Sequence, residues 1–63
     1  MTYILIWCPE MGIFVMGYPD TTRKTFPEED LRKSFGTDKT LNAWADFAQA
    51  HPNRECAYDA LPK

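Results

Sequence analysis

Tyr3-Ile4-Leu5-Ile6-Trp7-Cys8 is a run of aliphatic, β-branched and aromatic side chains, too short for a stable helix and too apolar for a loop. It reads as a strand. Alternation places Tyr3, Leu5 and Trp7 on one face and Ile4, Ile6 and Cys8 on the other. Both faces are apolar, which predicts a central place in its sheet. Pro9-Glu10-Met11-Gly12 supplies loop chemistry, and Ile13-Phe14-Val15-Met16-Gly17-Tyr18 then reads as an antiparallel partner strand. On this second strand Phe14, Met16 and Tyr18 share one side, and Ile13 and Val15 the other.

Pro19-Asp20 ends the hairpin, and the polar Thr21–Thr25 segment is predicted to be an exposed connection. Phe26-Pro27-Glu28-Glu29-Asp30-Leu31-Arg32-Lys33-Ser34-Phe35-Gly36 reads as a short helix. Phe26 takes the cap position, Pro27 the first helical position, and Gly36 follows the last turn. Acids at its start and Arg32-Lys33 near its end complement the helix dipole, and Glu28 with Arg32 and Glu29 with Lys33 have the favourable i,i+4 order. The charge run is a solvated helix face. A second helix follows the cap candidates of Thr37-Asp38-Lys39-Thr40, with Leu41, Trp44, Ala45 and Ala48 at the spacing of one buried stripe. It should stop near Ala50, because His51 precedes Pro52. Arg54–Tyr58 is either a short third strand or an irregular tail. The expected fold is therefore α+β in the order ββααβ, one domain spanning residues 1–63, with both helices on one face of the sheet.

Sixty-three residues make a domain near the lower size limit for an unaided core, so each large apolar side chain matters. With 44% hydrophobic residues and a net charge of -2, the chain is too apolar to be disordered, and it lacks the positive excess of a phosphate-tracking domain. The N-terminus has no basic segment ahead of its short apolar run, and no stretch approaches the length of a membrane span. A cytoplasmic protein with free Cys8 and Cys56 is expected.

Chemistry-bearing patterns are sparse. Cys8, His51 and Cys56 are soft metal-ligand types, but a closed zinc site needs a fourth ligand, for which Asp59 is the nearest candidate. No metal and no cofactor is expected. A nucleophilic thiol would need His51 beside Cys8 or Cys56 and a third group to orient it. Gly36-Thr37-Asp38-Lys39-Thr40 combines glycine, lysine and hydroxyls ahead of a helix. The upstream glycine of a phosphate loop is missing and Asp38 would repel a phosphate, so helix capping is its reading.

The hairpin carries the main functional expectation. Two short helices cover only one face of a sheet, and contiguous exposed apolar surface on a small protein marks an interaction site. Tyr3, Leu5, Trp7, Phe14, Met16 and Tyr18 are therefore the candidate partner-binding residues, and Trp44 is assigned to the core. The expected function is a non-enzymatic module that binds another protein or complex. In size and composition it resembles short phage proteins, anti-CRISPR proteins among them, that inhibit host machinery, although no motif carries that analogy. A homodimer that buries the spare sheet face or pairs exposed strand edges, and a small thiol-dependent enzyme or redox protein using Cys8 or Cys56, are the alternatives. Stacking of single-stranded nucleic acid on the aromatics is disfavoured by the missing basic groove.

Overall fold

The hairpin forms as the sequence predicts, from β1 (Thr2–Cys8) and β2 (Ile13–Gly17), in a computed structural model that describes residues 2–59. At its tip the amides of Met11 and Gly12 both donate to the Cys8 carbonyl, at 3.2 and 2.9 Å. Two shorter strands flank it. β3 (Lys24–Pro27) pairs with β2 and β4 (Cys56–Asp59) with β1, giving an antiparallel sheet in the order β3-β2-β1-β4. The protein is a small α+β domain with β1 inside the sheet.

β3 is an addition to the expected order. The end of the predicted connection is strand, with Lys24 opposite Met16, Thr25 opposite Val15 and Phe26 opposite Phe14. Thr25 and Phe26 suit a pleated surface, and Pro27 lacks only an amide hydrogen, which costs little on an edge strand. Pro27, not Phe26, is therefore the cap of α1 (Glu28–Phe35), with φ -56° and ψ 147°, and the helix starts one residue later than the sequence reading places it. Gly36 ends the helix at φ 60° and ψ -125°, a backbone open to glycine and to little else, and its amide donates to the Arg32 carbonyl at 3.0 Å.

α2 runs Lys39–Ala50, and the Asp38 carboxylate accepts a hydrogen bond from the Leu41 amide at 3.0 Å, which makes Asp38 the cap among the four candidates. Both helices lie on one face of the sheet. Leu31 and Phe35 from α1, with Trp44, Ala45 and Ala48 from α2, close over Leu5, Phe14 and Cys56. Arg32 joins the helices by donating to the Asn42 carbonyl at 3.2 Å and to Asp46 and Gln49 side chains at 2.6 Å each. Glu28 accepts from Gln49 at 2.8 Å, so the expected Glu28–Arg32 pair gives way to bonds between helices. The several acceptors on α2 satisfy the planar guanidinium better than one carboxylate on its own helix.

The opposite face of the sheet is closed differently. Arg23, whose backbone lies beside Gly17 just before β3, reaches Glu55 next to β4 at 3.1 Å. Gly17, Ile4 and Ala57 lie in one row between these two edges. The Arg23 stem therefore runs across the sheet, and Ile4 is only 6% exposed although no helix covers it. Ile6, Ile13 and Val15 remain half-buried on this side.

Candidate functional site

The sheet face that carries Tyr3, Leu5, Trp7, Phe14, Met16 and Tyr18 is the one turned toward the helices. Leu5 and Phe14 are 0% exposed, so neither can meet a partner in this fold. Trp7 packs on its cross-strand neighbour Phe14, with ring centroids 4.7 Å apart, and belongs to the core margin rather than to a spare face. Size explains the choice. Burying the aromatic face removes more apolar area per position, whereas the β-branched Ile4, Ile6, Ile13 and Val15 pack side by side on the sheet surface.

Tyr3, Met16 and Tyr18 fare differently, because the helical layer is shorter than the sheet. Eight residues of α1 span about 12 Å and twelve of α2 about 18 Å, while seven residues of β1 span about 23 Å. At the Tyr3 end this mismatch leaves a groove of about 310 Å³ between sheet and helices. Tyr3, Met16 and Tyr58 form its floor, and Phe35, Leu41 and Trp44 its helical wall. The Trp44 ring lies 5.1 Å from Tyr58 and 6.3 Å from Phe35, so the aromatic groups hold one another in place. All six residues are apolar or carry a single hydroxyl, which makes the groove suited to a large apolar side chain.

A second cleft of about 280 Å³ shares Tyr3 and Met16 with the first and continues past Tyr18, Thr22, Lys24 and Phe26. Here Tyr18 and Tyr3 stack with centroids 4.4 Å apart, and the Tyr18 hydroxyl donates to the Tyr3 hydroxyl at 2.9 Å. That hydrogen bond, helped by partial loss of water and by the neighbouring Tyr3 charge at high pH, raises the Tyr18 pKa above its ordinary value.

The far side of Trp44 opens on a third cleft of about 230 Å³, where Phe47, His51, Arg54, Glu55 and Cys56 meet. Phe47 is 49% exposed and its ring meets that of His51 at a tilt of 50°, with centroids 4.3 Å apart. His51 and Cys56 thus share a cleft, but each is engaged elsewhere. His51 Nδ1 donates to the Phe47 carbonyl at 3.0 Å, and the buried Cys56 thiol faces the Arg54 carbonyl at 3.6 Å. Burial pushes the Cys56 thiol up, against the opposing pull of the Arg54 charge, which disfavours the thiolate a nucleophile needs. Cys8 sits on the outer face of β1, whereas Cys56 pairs with Leu5 on the helical side, so the two lie on opposite faces of the sheet. Among the described residues no three His, Cys, Asp or Glu side chains converge on a metal position, and the Asp59 side chain lies outside them. No helix among the described residues is long and apolar enough to cross a membrane.

Of the candidate residues read from the sequence, Tyr3 and Met16 line the groove and Tyr18 the adjoining cleft; Phe35, Leu41 and Tyr58 are not among those candidates, and the sequence reading assigns Trp44 to the core alone. Leu41 and Trp44 belong to the stripe read as core, so only the mismatch of helix and strand lengths could have shown that the stripe overhangs an open end. Comparison of the chain with protein-family models, with curated proteins and with solved structures finds no match, and the functional reading therefore rests on the groove itself.

Proposed function

We propose that this chain is a non-enzymatic protein-binding module that seats an apolar side chain of a larger partner in the groove between Tyr3, Phe35, Leu41 and Trp44. The observation that carries the reading is the preformed aromatic groove at the Tyr3 end of the sheet. Rigid aromatic walls lose little side-chain entropy on binding, and such residues dominate the centres of protein interfaces. The outer sheet face supports this assignment, because the Arg23–Glu55 pair already spans it and hides Ile4. Occluding a surface of a larger complex, as small phage-type inhibitors do, is the mode of action that best fits so small a binder.

The test compares capture of partners from the source cell by wild type, Leu41→Glu and Ile6→Glu, each verified as folded by circular dichroism. A partner retained by wild type and Ile6→Glu but lost with Leu41→Glu supports the groove. Retention by Leu41→Glu with loss in Ile6→Glu would move the interface to the outer face and overturn the reading.

A further inference from the structure

The groove and the cleft that adjoins it form one continuous surface with two chemistries, joined through Tyr3 and Met16. The first half is aromatic and aliphatic throughout. The second is lined by hydroxyls of Tyr18, Thr21 and Thr22 and by Lys24. Lys24 is exposed and pairs in the sheet with Met16, on the boundary between the halves. Among the described residues the ion pairs join Arg23 to Glu55, Arg32 to Asp46 and Lys33 to Glu29, and none takes Lys24. The Tyr18 and Thr21 hydroxyl protons are already spent on the Tyr3 hydroxyl and the Tyr18 carbonyl, so the charge complementarity rests on the Lys24 ammonium, which without a carboxylate partner suits an anion placed next to whatever fills the apolar half.

From this charge complementarity we infer that the groove takes a segment of another protein in which a large apolar side chain lies beside a carboxylate. The apolar group enters between Tyr58, Leu41 and Trp44, and the carboxylate meets Lys24. This inference rests on the groove reading above and adds the chemistry of its occupant. The apolar half sets most of the affinity, and the lysine sets which neighbour the anchor has, because exposed charges discriminate partners more than they strengthen them.

The experiment titrates ¹⁵N-labelled protein with blocked glycine-flanked peptides carrying a phenylalanine–glutamate, a phenylalanine–lysine or an alanine–glutamate pair. It follows amide shifts of Tyr3, Met16, Lys24 and Leu41. The phenylalanine–glutamate peptide is expected to bind about tenfold more tightly than the phenylalanine–lysine one at low salt, with the preference shrinking in 1 M salt. Lys24→Glu, an exposed substitution, should reverse the order. Equal binding of the two phenylalanine peptides would overturn the carboxylate assignment and leave the apolar groove standing. Failure of every peptide to shift these amides would overturn both. Shifts of the same amides on concentrating the protein alone would identify a second copy as the occupant and overturn the assignment to another protein's segment.

Discussion

Trp44 donates its indole hydrogen to the Cys56 carbonyl at 2.9 Å inside the protein, so one side chain both fills the core and fixes α2 to β4. The bond also orients the indole, which lines both the groove and the cleft beside His51. Core and candidate site are thus two sides of one residue.

Trp44→Ala should cost about 3 to 5 kcal/mol, comparable with the whole stability available to a domain of this size, and the fold should largely fail. Trp44→Phe separates packing from hydrogen bonding. It keeps an aromatic ring but leaves a buried carbonyl unpaired, for an expected loss of about 1 to 3 kcal/mol. Trp7→Ala should also destabilise, by about 2 to 4 kcal/mol, since Trp7 packs on Phe14 beneath the helical layer. Urea denaturation of the three variants measures these values, and a Trp7→Ala protein as stable as wild type would contradict the placement of Trp7.

Gly17→Ala should destabilise by about 1 to 3 kcal/mol, because its new methyl would lie 3.0 Å from both the Cα and the Cγ of Arg23. The Cα belongs to the backbone and cannot swing aside. Arg23→Ala removes the side chain that crosses Ile4, and its cost of about 1 kcal/mol should persist largely unchanged in 1 M salt. The exposed ion pair with Glu55 contributes little beside the packing of the Arg23 stem. A loss that disappeared in high salt would assign the strap to charge alone.

The hairpin, both helices and the Asp38 cap were legible in sequence because each rests on local signals: alternation, caps, and proline and glycine at element ends. Which face the helices would choose was not. Both faces of β1 are apolar, and the decision depends on the joint area of Leu5, Phe14 and Trp7 against that of Ile4, Ile6 and Val15, together with an arginine that covers the losing side. β3 escaped notice because its pairing with β2 is non-local and its residues Lys24, Thr25 and Pro27 are polar or strand-breaking in isolation. The groove was half legible. Its sheet residues stood in the hairpin, while Phe35, Leu41 and Tyr58 join them only through the crossing of three elements.

The two thiols should behave unequally. Cys56 is 8% exposed with its thiol pushed up by burial, whereas Cys8 is half-buried on the outer face. With a thiol reagent at pH 8, native protein should label at Cys8 first, and Cys56 should follow at a rate set by unfolding; both should react quickly in denaturant. Mass spectrometry after timed quenching reads the order directly. Fast native labelling of Cys56 would reopen the case for a reactive thiol beside His51.

Alkaline pH should loosen the fold through Tyr18. Its hydroxyl donates to Tyr3 and holds its proton more tightly in the folded chain than in the unfolded one, where a tyrosine titrates near 10.0. The stabilising contribution is therefore complete below about pH 10 and is lost as the pH rises through the higher folded value. Tyr18→Phe removes that titration but retains the ring stacked on Tyr3. The variant should be less stable than wild type at pH 7, and the gap should close as the pH rises above about 10. The difference between the urea midpoints of the two proteins reads this change. A gap that stays constant over this range would show that the hydroxyl pair does not hold the Tyr18 proton.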